Sequence, residues 1–285
     1  MTEQPLVEIC ALDISFTTKS GRVDAVRGVS FTMGRERLGI VGESGSGKSL
    51  TARCLLGILP ANAEVRSRHI VFDGIRVDTA GEAEMRRLRG RRIGMILQDP
   101  KYSLNPLLTV SQQLCEMFSI HRVGNRAEAR AKAIDLLRAV GFTDADRVMA
   151  SYPHELSGGM GQRAMIAMML MTDPDLIVAD EPTSALDVTV KLKVLDTMDR
   201  MVRERRMGLV LISHDLNLVA AYCDRILIMY RGRVVETLNS PDLAAARHPY
   251  TRALVDSLPR LDRQVDRLKT LDRGADWTRW ENAGA

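Results

Sequence analysis

Residues 38–41, Leu-Gly-Ile-Val, form a short apolar run that enters Gly42-Glu43-Ser44-Gly45-Ser46-Gly47-Lys48-Ser49. A helical stretch begins at Leu50 and stops at Pro60. The octapeptide has the spacing G-x-x-x-x-G-K-[ST] and lies between a strand and a helix, as a phosphate-binding P-loop requires. Glycines let successive backbone N–H groups converge on an anion without Cβ clashes. The following helix points its positive end at the same anion. Lys48 is then placed to reach the β- and γ-phosphates of a nucleotide, and the Ser49 hydroxyl to ligate Mg²⁺. An ordinary glycine-rich turn needs neither the Lys-Ser pair nor these flanks.

The rest of the chain agrees with an α/β sheet. Residues 7–16 and 29–33 are rich in β-branched and apolar side chains and read as strands. Residues 69–77 read as a hairpin turning at Asp73-Gly74. Between Gln98 and Ser157 the pattern becomes helical, with Gly141 ending one helix over 127–140. Another helix, 160–171, carries Met165, Met168 and Met169 at core spacing. Strands at 176–179, 209–212 and 226–229 then alternate with helices at 188–205 and 216–222, which implies a parallel sheet covered on both faces. A last hairpin near Arg231-Gly232 closes the core near Thr237, and a charged helical tail follows from Pro241. The expected division is a nucleotide-binding core over 1–97 and 158–245, a helical insert over 98–157, and an extension over 246–285.

At 285 residues the chain has length for about two domains, or one domain with an insertion. Hydrophobic residues at 45% supply a core and exclude whole-chain disorder. No run approaches the roughly 18 apolar residues of a membrane span, and no secretory signal opens the chain, which points to the cytoplasm. The net charge of +4, with 5 Phe, 5 Tyr and 2 Trp, argues against a nucleic-acid surface. The basic window Arg86, Arg87, Arg89, Arg91 and Arg92 reads as a solvated face. Cys10, Cys54, Cys115 and Cys223 are scattered singly, so neither a zinc site nor a disulfide framework is expected.

Two further segments carry chemistry. The strand at 176–179 delivers Asp180 and Glu181 to its C-terminal end, where ligands of parallel sheets bind. Successive strand side chains point oppositely, so the two carboxylates divide their roles: Asp180 holds Mg²⁺ through water and Glu181 is the general base for the attacking water. The segment Leu156-Ser157-Gly158-Gly159-Met160-Gly161-Gln162-Arg163 puts Ser157 at an N-cap and two glycines at the positive end of a helix. That is a second phosphate-binding surface on a chain that already has one. The simplest resolution is two chains, each offering its serine to the nucleotide held by the other.

With these residues in this order, the sequence resembles the ATP-binding-cassette family over about residues 6–260. The resemblance implies a P-loop NTPase (RecA-like) core with a parallel sheet, an N-terminal antiparallel β-subdomain and an inserted α-helical subdomain. It implies ATP and Mg²⁺ as cofactors. By resemblance, Ser184-Ala185-Leu186-Asp187 is the D-loop, whose Asp187 joins Ser157, Gly158 and Gly159 at the nucleotide. Gln98 is the Q-loop glutamine, a metal ligand and catalytic residue, and His214 is the switch histidine that contacts the γ-phosphate and Glu181. Val23 takes the adenine-stacking position, with Phe16 as a substitute.

Residues 93–100, Ser103-Leu104-Asn105-Pro106, residues 152–160 and His248-Pro249-Tyr250-Thr251-Arg252-Ala253-Leu254 narrow the resemblance to the ATPase subunits of dipeptide and oligopeptide importers. In that family a heterodimer of two ATPases, at the cytoplasmic face of the bacterial inner membrane, drives two permeases fed by an extracytoplasmic solute-binding protein. The helical insert touches a permease coupling helix. Importers of nickel, glutathione and opine-like solutes have similar ATPases. Gly161 departs from the family pattern, where Arg or another side chain stands. No Cys follows Cys223, so the iron–sulfur cluster of some relatives is not expected. A ribosome-acting ATPase carries two tandem cassettes, and a chromosome ATPase a long coiled coil between P-loop and signature. Here Lys48 and Ser157 are 109 positions apart without sustained heptads.

Overall fold

A computed structural model describes residues 4–19, 21–97, 104–183, 186–258 and 277. In chain order the elements begin with β1 (Val7–Thr18), β2 (Gly21–Met33), β3 (Arg37–Val41), α1 (Lys48–Cys54), β4 (Ala63–Arg66), β5 (His69–Phe72) and β6 (Ile75–Arg76). They continue with α2 (Glu82–Leu88), β7 (Ile93–Ile96), α3 (Val110–Ile120), α4 (Arg126–Ala139), α5 (Ala145–Ala150), α6 (Gly158–Met169) and β8 (Leu176–Asp180). The last are α7 (Val188–Glu204), β9 (Gly208–Ser213), α8 (Leu216–Tyr222), β10 (Arg225–Tyr230), β11 (Arg233–Asn239) and α9 (Pro249–Asp256). Two compact units divide the chain: Met1–Thr79 with Leu211–Ala285, and Ala80–Val210.

The first unit holds an antiparallel sheet of order β2-β1-β5-β6, with β4 also on β1. Strand β1 buries Val7 and Ile9, then Leu12 and Ile14. That change from odd to even positions turns the side-chain alternation over, and a register shift between Ile9 and Leu12 makes it possible. Ala11 absorbs the kink at φ +50°, its N–H bonded to Ser30 Oγ at 2.8 Å. Strand β2 is eight residues longer than its apolar pattern predicts, because its exposed, charged first half is held by pairing with β1 and not by burial.

The same unit carries β11-β10-β3 and the last three residues of β9, whose first three belong to the second unit. β10 runs parallel to β3, Ile226 opposite Gly39 and Ile228 opposite Val41. These strands are almost wholly buried, hence their unbroken apolar runs. A Cβ at Gly39 would lie 2.0 Å from Val219 Cγ1, so α8 packs onto β3 through the missing side chain. Both hairpins turn as expected. Asp73-Gly74 and Arg231-Gly232 have positive φ at both central positions, the geometry of two-residue turns that match strand twist. α1 ends at Cys54, earlier than Pro60 predicts, in a succession of tight turns: Leu55 N–H to Ala52 O, Leu56 to Arg53 and Gly57 to Cys54. The expected tail helix begins as a 3₁₀ turn (Ser240–Ala245) and α9, whose Tyr250 and Thr251 are fully buried.

In the second unit the order is β9-β8-β7, with β7 parallel to β8 and Ile93 opposite Leu176. Helices α3, α4 and α5 fall in the interval 98–157. Side-chain caps start every helix from α3 to α7: Thr109, Asn125, Asp144, Ser157 and Asp187 each accept a backbone N–H. On α6, Met165 and Met168 are buried and Met169 half-buried. The arginine window is not one solvated face. Arg86 and Arg87 are exposed on α2, but Arg89 pairs with Glu82, Arg91 donates to Thr172 O, and Arg92 pairs with Asp175 at 2.8 Å. Positions 89–92 leave the helix and run into β7: Arg89 turns back onto α2, whereas Arg91 and Arg92 meet the residues that lead into β8. The four cysteines are free thiols, Cys54 and Cys223 buried, Cys10 and Cys115 half-buried.

Candidate functional site

In the first unit, β3 ends at Val41 and α1 begins at Lys48, which spans residues 42–47 as a tight loop. Lys48 is 7% exposed, and its ammonium donates to Gly42 O and Glu43 O at 2.8 Å each. A buried cation is thereby fixed at the centre of the loop by the loop's own carbonyls. Gly47, at φ +95°, caps α1, and a Cβ there would stand 2.8 Å from Ala25 O. A Cβ at Gly42 would meet Met229 O at 2.1 Å and Ser46 Oγ at 2.8 Å. The loop is therefore wedged between β2 and the end of β10, and Gly232 N–H ties down Ser46 O at 3.2 Å.

Ser46 Oγ is buried without a hydrogen-bond partner, which marks a polar group shaped for something beyond the chain. Ser44 and Gly45 are exposed; Ser49 and Leu50, in the first turn of α1, are half-buried. These groups fit a polyphosphate: a fixed cation, a glycine cradle, and hydroxyls at the rim. Val23 is 49% exposed on β2, and its register partner on β1 is Phe16. Directly opposed residues share a face, so the two stacking candidates flank one spot. His214 directly follows β9 and is exposed, ahead of Asp215, which caps α8.

In the second unit Asp180 is the last residue of β8 and is buried. Glu181 leaves the strand at φ +48° and is half-buried. The alternation expected for the pair therefore stops at Asp180: the left-handed backbone, not strand geometry, sets the direction of Glu181. A glutamate in that conformation costs about 1–3 kcal/mol and persists only where its surroundings fix it.

Ser157 is the N-cap of α6, its Oγ accepting Met160 N–H at 3.3 Å. Ser157 and Gly158 are exposed, and a Cβ on Gly159 would press Leu186 Cδ2 at 3.1 Å. A cavity of about 310 Å³ opens beside this cap, lined by Leu104, Pro106, Pro153, His154, Leu156 and the side-chain-free Gly161. Asp187 is exposed and accepts Val190 N–H at 3.0 Å, which makes it the N-cap of α7. Gln98, Ser103, Ser184 and Ala185 lie outside the described residues.

Gln162 escaped the sequence reading. It is fully buried, and its Nε2 donates to Pro182 O at 2.6 Å and Leu97 O at 3.4 Å. It thus joins the signature helix to the residue after Glu181 and the residue before Gln98. The readable signal was a glutamine sharing a helix face with Met165 and Ile166. Gln162→Leu removes the donor from two interior carbonyls and should destabilise the protein by about 1–3 kcal/mol. Urea unfolding checks this, and a midpoint equal to wild type refutes it. Next to it, the Arg163 guanidinium lies 4.3 Å from the Phe142 ring and donates to Gly141 O at 2.9 Å, joining α6 to the end of α4.

Among the described residues no group of three or more His, Cys, Asp and Glu is arranged to hold a metal. The Ser49 hydroxyl in the first unit and the Asp180 carboxylate in the second are each an oxygen donor of the type that suits a hard cation such as Mg²⁺. No helix among the described residues is long and apolar enough to cross a membrane.

The ABC transporter family model matches residues 26–184. The oligopeptide transport ATP-binding protein OppD of Haemophilus influenzae is 42% identical over 269 residues, 94% of this chain and 83% of that one. The dipeptide transport ATP-binding protein DppD of Lactococcus lactis subsp. cremoris is 39% identical, over 95% and 78%. Among solved structures, the dimeric post-hydrolysis state of the ATP-binding cassette MJ0796 bound to ADP and Pi superimposes with a TM-score of 0.75 at 25% identity, covering 82% of this chain and 98% of that one. CbiO1 of Clostridium perfringens, part of the cbiONQ ABC transporter complex, follows with a TM-score of 0.70 at 25% identity, over 85% and 92%.

Proposed function

Since the chain belongs to the ABC transporter family, we propose that it is the ATP-binding and ATP-hydrolysing subunit of an importer of di- and oligopeptides. The observation that carries this reading is the pair of glycine-rich surfaces on one chain: a loop around a buried Lys48, and an exposed Ser157-Gly158 at the start of α6. The names of its relatives supply the peptide as solute.

In this reading residues 42–50 cradle the triphosphate, with Lys48 on the β- and γ-phosphates and Val23 against the adenine. Ser49, Gln98 and Asp180 would hold Mg²⁺, which supplies charge neutralisation on the phosphates. Glu181 takes a proton from the attacking water, and His214 stabilises the γ-phosphate. Ser157, Gly158, Gly159 and Asp187 serve the ATP of a second ATPase subunit, in a heterodimer. Phosphoryl transfer here is positioning and charge stabilisation, without a covalent intermediate on the protein. ATP favours the closed pair and so shifts the equilibrium toward it; hydrolysis reverses the shift.

The segment 98–157 forms the helical insert that passes this motion to two permease subunits at the cytoplasmic face of the inner membrane. Solute is delivered by an extracytoplasmic binding protein. Purification of the tagged chain from membranes tests the assignment: two permeases and a second ATPase should accompany it, and recovery as a lone protein on ribosomes would sink it. Ser157→Arg places a long cation where the exposed cap stands. In the assembled complex it should lower ATPase activity at least about tenfold, as does loss of a donor aimed at the transferred phosphoryl group. Unchanged turnover would show that this signature is not used.

A further inference from the structure

One peptide unit in the glycine-rich loop is held from both edges. The carbonyl of Gly42 and the N–H of Glu43 belong to the same planar trans peptide and point in opposite directions. Lys48 Nζ donates to that carbonyl at 2.8 Å, and the N–H donates to the hydroxyl of Tyr250 at 3.2 Å. Rotation of the plane would break both bonds together. Tyr250 lies more than 200 positions further along the chain, on α9, and is the largest fully buried side chain of the described residues.

Tyr250 is itself tightly located. Its ring packs on Tyr230 of β10 at a centroid distance of 4.5 Å. Its own N–H donates to His248 Nδ1 at 3.2 Å, which caps α9. The Glu236 carboxylate on β11 accepts the N–H groups of Arg247 at 2.7 Å and His248 at 3.3 Å. Hydrogen bonds and ring packing thus tie β10 and β11, through α9, to the loop. Burial, and then the nearby Glu43 carboxylate, push the Tyr250 phenol above its ordinary range, so the hydroxyl stays neutral throughout the physiological pH range. A ring serving only to fill space would need no hydroxyl at the point where the loop presents an amide.

We propose that Tyr250 is a positioning residue for Lys48: by clamping the Gly42–Glu43 peptide, it holds the ammonium where the terminal phosphates arrive. The inference rests on the reading of Lys48 as a phosphate ligand. It assigns to the residues just after the cassette core a part in nucleotide binding. Because Lys48 meets the phosphates both before and during transfer, loosening it weakens binding in both states, which raises KM more than it lowers kcat.

Tyr250→Phe keeps the ring and deletes only the hydroxyl. In the assembled transporter it should raise KM for ATP about threefold to tenfold, the worth of one hydrogen bond, with kcat within about twofold of wild type. A subunit merely misfolded in part would lose kcat at unchanged KM. That result, or an unchanged KM, would overturn the proposal. Amide exchange of Glu43, read by NMR on the full chain without nucleotide, decides the clamp apart from any turnover. It should accelerate about tenfold or more in Tyr250→Phe while the amides of α9 keep their protection. Equal exchange at Glu43 in the two proteins would refute the clamp even if ATP binding stands. A wild-type complex that does not hydrolyse ATP, with the exchange difference present, would instead refute the ATPase reading.

Discussion

Glu181→Gln should bind ATP with wild-type affinity and hydrolyse it at least about 100-fold more slowly, holding the ATPase pair closed. General-base assistance contributes about 10²–10⁴ in rate, and the amide keeps the shape while losing the proton acceptor. The backbone at φ +48° belongs to this argument, because the substitution leaves it in place and so tests the carboxylate alone. Single-turnover hydrolysis of radiolabelled ATP in the assembled complex reads the effect. Prompt turnover in the variant would remove Glu181 from the base role.

Lys48→Ala should lose about 10- to 100-fold in ATP affinity, since a charge-assisted hydrogen bond to phosphate is worth about 1.5–3 kcal/mol. Two carbonyls of the same loop, Gly42 O and Glu43 O, then lose the cation that both now bind. The stability of the loop should fall along with affinity. Equilibrium binding of a fluorescent ATP analogue checks the first part. Wild-type affinity in the variant would mean that the buried ammonium only braces the loop.

Much of this was visible in the residues themselves. The loop at 42–49 needs glycine where the backbone approaches Ala25 O and Met229 O, and glycine stands there. Ser157 caps α6 as its position before two glycines implies. Asp73-Gly74 turns its hairpin because aspartate and glycine tolerate positive φ. Other features depend on contacts that no local pattern contains. The exposed start of β2 is a strand only because β1 lies beside it. Asp187, assigned to the nucleotide by resemblance, also caps α7 through one carboxylate oxygen, a second use that the resemblance did not name. The bridge made by Gln162 and the clamp made by Tyr250 join residues up to 207 positions apart, a separation at which periodicity carries no information.

In the proposed ATPase pair each nucleotide is enclosed by two chains, one giving the lysine loop and the other the serine cap. A structure of the assembled transporter with Mg²⁺ and a non-hydrolysable ATP analogue tests it most directly. Ser157 Oγ and the Gly159 N–H should stand within hydrogen-bond reach of the γ-phosphate held by the neighbouring ATPase. Residues 156–159 standing apart from every terminal phosphate in a closed, fully loaded complex would contradict it.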